Sequence, residues 1–108
     1  MAKALVMRET GGPEVLRVEE VEVGDPGPGE VRIKQTAIGV NFHDIYVRSG
    51  LYQTLPLPGI PGLEAAGEIT AVGEGVAGFS VGERVVYVSG NYGAYADERL
   101  ISADTLVK

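Results

Sequence analysis

The sequence predicts a mainly β domain, a small and partly open barrel of short antiparallel strands with one short helix near residues 42–49. Three observations predict it. Sixteen glycines and six prolines are spread along 108 residues, so turns recur too often for long helices. Six short runs carry strand-like patterning between those turns. Only one stretch places its apolar residues at helical spacing.

Taken in order, Lys3 to Arg8 mixes apolar and polar residues as a half-buried strand does, and Gly11-Gly12-Pro13 turns the chain. Val18, Val21 and Val23 sit among Glu19, Glu20 and Glu22, and the alternation at 19–23 predicts a strand with one wet face. Asp25-Pro26-Gly27-Pro28-Gly29 is a stiff turn. Val31 to Val40 begins with strict alternation and becomes apolar on both faces, which predicts a strand running from the surface into the core. In Asn41 to Gly50 the apolar Phe42, Ile45 and Tyr46 share a helical face, Asn41 suits the N-cap and Gly50 the C′ position. Leu55 to Gly62 holds three prolines, each without an amide donor, and reads as an ordered loop or lid. Ala65 to Val72, Arg84 to Ser89 and Ala94 to Leu100 are the last three strand-like runs. They are separated by Gly73-Glu74-Gly75, Val81-Gly82-Glu83 and Gly90-Asn91-Tyr92-Gly93.

Composition narrows the function. Nine basic against fifteen acidic residues give a net charge of −6. With no basic cluster, nucleic acid is not an expected partner. No apolar run approaches the ~20 residues of a membrane helix, so no membrane partner is expected. There is no cysteine, which removes disulfides and thiolate metal ligands and is compatible with a reducing cytoplasm. A length of 108 residues suits one domain with a single core.

Three segments together resemble the medium-chain dehydrogenase/reductase superfamily. They are Ala37 to Tyr52, Pro61 to Gly73, and Val81 to Tyr87 followed by Gly93 to Asp97. Gly11-Gly12-Pro13-Glu14-Val15-Leu16 is similar to the quinone oxidoreductase branch. The resemblance implies that residues 1–108 are a GroES-like domain on the substrate side of the active site. It also implies that the cofactor-binding Rossmann domain is absent from this chain and would follow Lys108. The expected chemistry is hydride transfer from NADPH, bound mainly by that other domain, to a quinone or similar enone. A homodimer is expected for the full-length protein, in the cytoplasm, and the isolated domain is expected to fold but not to turn over. The alternative is a stand-alone GroES-like binding module or co-chaperonin. Against it stand the proline-stiffened loop and the helix after Asn41.

Departures from the superfamily pattern carry as much information. In the zinc-dependent relatives a cysteine ligand stands at the position of Asn41 and a histidine ligand at that of Leu63. An alkyl group cannot ligate zinc and an amide is a poor ligand, so no zinc and no metal ligand is expected. A quinone already accepts hydride readily. It needs positioning and a hydrogen bond to the oxygen that gains charge.

The resemblance assigns Asn41 to the nicotinamide ribose end of the cofactor, alongside its role as a helix cap. It turns Tyr46 and Tyr52 toward the substrate cleft, where a phenol of pKa ~10 stays protonated and can donate. These two are the candidate catalytic residues; Asn41 and Arg48 are the candidate cofactor-binding residues. Arg48 either approaches the cofactor phosphates or is solvated. His43, the single histidine, reads as a surface or helix-face residue beside Asp44 rather than a general base. Glu64 is expected to anchor its loop through hydrogen bonds. Gly73-Glu74-Gly75 does not open a helix and so is no dinucleotide fingerprint.

Overall fold

A computed structural model describes residues 2–89 and 91–108. Gly90, the first residue of the expected turn at 90–93, lies outside them. The described residues form six strands and one α-helix, arranged as two antiparallel sheets that do not close into a barrel.

The smaller sheet pairs β1 (Ala2–Met7) with β2 (Leu16–Val21), Ala2 standing opposite Val21 and Met7 opposite Leu16. The larger contains β3 (Glu30–Ile38), β4 (Glu64–Val72), β5 (Arg84–Val88) and β6 (Glu98–Ser102) in the spatial order β5-β4-β3-β6. α1 (Phe42–Ser49) lies between β3 and β4 in sequence. No helix among the described residues is long and apolar enough to cross a membrane.

Alternation explains the larger sheet. Val31 and Ile33 on β3, Ala65 and Ile69 on β4, and Val85 and Tyr87 on β5 point to one face and are buried. Ala94, Ile101 and Leu106 complete that core. Burying these side chains is the main stabilising term. Gly67 sits in β4 where a Cβ would lie 2.3 Å from the Lys34 carbonyl oxygen. The register shift between Gln35 and Ala37 brings β3 this close.

Gln35 is the polar member of the buried face, and both its amide hydrogens and its side-chain oxygen are engaged. Its amide nitrogen donates to the carbonyls of Ala94 (2.9 Å) and Ala96 (2.7 Å). Its oxygen accepts from the Tyr87 hydroxyl at 2.5 Å, and Arg99 Nη1 donates to that hydroxyl at 3.1 Å. Burial pushes the Tyr87 phenol upward in pKa, against the opposing pull of the Arg99 charge.

Three expectations are corrected. Ala94 to Leu100 is not one strand: β6 begins at Glu98. Residues 94–97 cross instead between the sheets. Leu5 N–H donates to the Tyr95 carbonyl, Asp97 N–H to that of Lys3, and Gln35 N–H to that of Asp97. Nor does β3 run into the core. Val31, Ile33 and Gln35 are buried, whereas Thr36, Ala37 and Ile38 are exposed. The apolar end of β3 opens on a groove of about 510 Å³ lined by Leu5, Leu16, Val18, Ile38, Val40 and Tyr95. No described layer covers it. The strand alternating at 19–23 is likewise shifted, to Leu16–Val21, because its partner β1 sets the register.

Candidate functional site

The site is organised by α1. Its ends are those the sequence predicts, Asn41 at the N-cap and Gly50 in the left-handed region (φ 91°). The N-terminus has the layout of a capping box with Asp44 at N3. The carboxylate arm has good geometry, Asn41 N–H donating to Asp44 Oδ2 at 3.0 Å, while the Asp44 N–H takes the Asn41 carbonyl at 3.0 Å.

The helix buries a different face from the one its apolar spacing suggests. Val47 and Asp44 point inward, 2 % and 4 % exposed. Phe42, Ile45 and Tyr46 point outward, and Phe42 is 76 % exposed. Asp44 earns its buried position through Tyr95, whose hydroxyl donates to Oδ2 at 2.6 Å. Burial first, then the hydrogen bond and charge of Asp44, push the Tyr95 phenol upward in pKa. Tyr95 is itself fastened to the proline loop, since its N–H donates to the Pro61 carbonyl at 3.0 Å. At Gly62 (φ 105°) a Cβ would strike Tyr95 and Ala94. One carboxylate thus joins the helix N-terminus, the 94–96 crossing and the loop before β4.

Tyr46 and Tyr52 come together as edge-on neighbours, ring centroids 5.4 Å apart at 72°. Tyr52 N–H donates to the Tyr46 carbonyl at 3.1 Å, which folds the chain after Gly50 back on the helix. Both rings remain partly exposed, at 38 % and 42 %. His43 joins the same wall, 5.3 Å from the Tyr52 ring and stacked at 6.0 Å on Tyr92. Its Nε2 lies 3.0 Å from the Tyr92 hydroxyl, which also meets Thr54 Oγ1 at 2.5 Å. Tyr92 and Thr54 were not singled out from the sequence. The only signal was an aromatic at the tip of a glycine turn, and nothing local connects it with His43.

Arg48 is turned to the chain's own backbone. Its Nε donates to the Gly11 carbonyl at 3.2 Å, and Gly11 N–H donates to the Arg48 carbonyl at 2.8 Å. Glu64 begins β4, and its carbonyl accepts from Gly39 N–H at 3.1 Å. Its side chain fills the space that a Cβ on Gly39 would need. The Gly73 turn is filled by the carbonyl oxygens of Gly27 and Glu30, so it is a packed turn and not a phosphate cradle.

A concavity of about 750 Å³ adjoins the aromatic wall at Tyr92. Thr54 and Tyr92 line it together with the 55–60 loop and the Arg8, Glu19 and Glu20 side chains; Asn41, Tyr46 and Tyr52 do not. Arg8 forms an ion pair with Glu19 at 2.7 Å and holds that carboxyl below the usual range. Among the described residues no three His, Cys, Asp or Glu side chains gather as a metal-binding group.

This open β framework with one short helix is the fold of a GroES-like domain. The family model of the alcohol dehydrogenase GroES-like domain matches residues 27–108, and the chain belongs to that family. Among individual proteins it is similar to a quinone oxidoreductase of Pseudomonas aeruginosa, 47 % identical over 110 residues that cover 99 % of this chain and 33 % of that protein. It is also similar to a 2-haloacrylate reductase of a Burkholderia species, 48 % identical over 111 residues, covering 100 % and 33 % respectively. Among solved structures, the Escherichia coli quinone oxidoreductase complexed with NADPH superposes with a TM-score of 0.93 at 42 % identity, over 98 % of this chain and 32 % of that one. The chain spans about a third of the length of the relatives it matches.

Proposed function

We propose that this chain is the substrate-side domain of an NADPH-dependent quinone oxidoreductase that reduces a quinone or similar enone without zinc. The observation that carries the reading is the half-exposed Tyr46–Tyr52 pair, one ring on the helix headed by Asn41 and the other just beyond its end. It occurs in a chain 47 % identical to a quinone oxidoreductase.

The bound reduced nicotinamide supplies the hydride. This chain's residues shape the acceptor side. The two tyrosine rings exclude water from one face of a planar acceptor, and their hydroxyls donate to the oxygen that gains negative charge. Asn41 faces the nicotinamide ribose end. The packed Gly73 turn leaves the dinucleotide phosphates to be held by the rest of a larger protein. Arg48, engaged with Gly11, supports the helix in this reading and has less to offer a phosphate. The donor set supports zinc-free chemistry, since the chain has no cysteine and one histidine, and leucine occupies position 63. A cytoplasmic, homodimeric full-length protein accords with this reading.

A cleft of this kind forms between two domains, so the 108-residue chain alone is expected to reduce no quinone. The test is a chimera in which this chain replaces the corresponding third of the Pseudomonas aeruginosa quinone oxidoreductase. Restored NADPH-dependent quinone reduction, lowered by Tyr46→Phe or Tyr52→Phe, supports the reading. A well-folded chimera that binds NADPH but is inert, or a chain that assembles as a heptamer, overturns it.

A further inference from the structure

The Tyr92 hydroxyl stands between two partners of different habit. His43 Nε2 lies 3.0 Å away on one side and Thr54 Oγ1 2.5 Å away on the other. Tyr92 and Thr54 line the cavity of about 750 Å³, whereas His43 does not line it and stacks on Tyr92. A phenol carries one proton, so the two contacts cannot both be donated by Tyr92.

The state of the imidazole decides where that proton points. A neutral imidazole nitrogen is a stronger base than an alcohol, and a phenol is a stronger acid than either an alcohol or an imidazole N–H. With the ring neutral, Nε2 therefore accepts the phenolic proton, the ring carries its hydrogen on Nδ1, and Thr54 donates to Tyr92. With the ring protonated, Nε2–H donates to the phenolic oxygen. The Tyr92 proton then turns to Thr54 or to an oxygen in the cavity.

We infer that His43, Tyr92 and Thr54 form a pH-gated hydrogen-bond donor. It serves a subsite for a carbonyl or anionic oxygen, presenting a proton-bearing oxygen to the cavity when His43 is protonated and withdrawing it when His43 is neutral. The inference rests on the proposed function only in naming a quinone oxygen as the ligand. The surroundings leave His43 as the group that switches. On its own helix Asp44 is turned to Tyr95 and Arg48 to Gly11. The segment 51–58 brings Tyr52 as its one ionisable side chain. Arg99 reaches the Tyr92 carbonyl at 3.1 Å but not its hydroxyl. Across the cavity stand Glu20 and the paired Arg8 and Glu19.

The 108-residue chain itself suffices for the test, and its single histidine is an unambiguous reporter. Nuclear magnetic resonance between pH 5 and 8.5 should show the Tyr92 ring and the Thr54 methyl shifting with the midpoint of His43. The neutral ring should carry its hydrogen on Nδ1. His43→Gln should abolish both responses, and Tyr92→Phe that of Thr54. Tetramethyl-1,4-benzoquinone should perturb Tyr92 and Thr54. It should bind roughly fivefold tighter at the acid end, the worth of about one neutral hydrogen bond, and this difference should vanish in either variant. Independent titration, a neutral ring with hydrogen on Nε2, pH-independent affinity, or no quinone contact at Tyr92 each overturns the gate. Quinone contact at Tyr92 that keeps its pH dependence upholds the gate, whereas quinone contact at Tyr46 or Tyr52 bears on the proposed function alone, since neither lines this cavity.

Discussion

Tyr95 donates its phenolic proton to Asp44 Oδ2 across 2.6 Å, and the same oxygen accepts the Asn41 N–H at 3.0 Å. The other carboxylate oxygen, Oδ1, is buried with no hydrogen-bond partner among the described residues. The pair therefore sets the start of the helix that carries Tyr46, and does so from a segment 51 residues distant.

Asp44→Ala removes a helix-capping acceptor and leaves the Tyr95 hydroxyl and the Asn41 amide unpaired. The expected loss is about 2–3 kcal/mol, the sum of a cap and a charge-assisted hydrogen bond. Tyr95→Phe should cost less, and the double variant less than the two single losses combined, because both act on one interaction. Urea midpoints of the three variants check this; strict additivity would contradict it.

The chain should lose stability on the alkaline side. Tyr87 and Tyr95 both have raised phenol pKa values in the folded protein. Below ~10, the value for a phenol in an unfolded chain, both states hold these protons and the contribution is intact. As pH rises beyond that, the unfolded chain ionises first and stability falls until the folded-state pKa is passed. Unfolding in urea from pH 8 to 11 should show the decline, shallower in Tyr95→Phe. A flat profile would contradict it.

Tyr87→Phe leaves Gln35 Oε1 without its donor in the core. An unpaired buried acceptor costs about 1–3 kcal/mol. The change should also free Arg99 Nη1, which donates to the same hydroxyl. Calorimetric melting of the variant beside wild type gives the measurement, and an unchanged midpoint would count against the network.

Gly67→Ala and Val40→Ser should differ sharply. A Cβ at 67 meets the Lys34 backbone oxygen at 2.3 Å, and backbone cannot swing aside as a side-chain tip can. A loss above about 2 kcal/mol is expected from such overpacking. Val40 is 75 % exposed, so its replacement should stay within about 0.5 kcal/mol. Denaturant titrations of both variants decide the comparison.

The helix was legible because its signals are local: Asn41 and Gly50 mark its ends regardless of what surrounds them. Its buried face was not. Phe42, Ile45 and Tyr46 have the spacing of a core stripe, yet Asp44 goes inside because Tyr95 and the Asn41 amide wait there with two donors. The strand expected from Ala94 failed for a related reason. Residues 94–97 satisfy their backbone groups on β1, the proline loop and Gln35 rather than along one ladder. Of the candidate site residues, the structure joined Tyr46 to Tyr52, set Asn41 at the helix head and turned Arg48 to Gly11.

By itself the sequence determined the mainly β class, the single short helix at 42–49 and the resemblance to oxidoreductases without zinc ligands. Alternation, caps and family segments are each read within a few neighbouring residues. Only the tertiary structure decided that Tyr92 and Thr54 belong beside His43, and that Gln35 is the buried joint between Tyr87 and the 94–96 crossing. Those contacts span 49 residues for His43–Tyr92 and 52 for Gln35–Tyr87. No local propensity encodes them; they exist because the 94–97 crossing, bonded to β1, to Pro61 and Gly62 and to Gln35, holds the loops at 52–62 and 91–97 together.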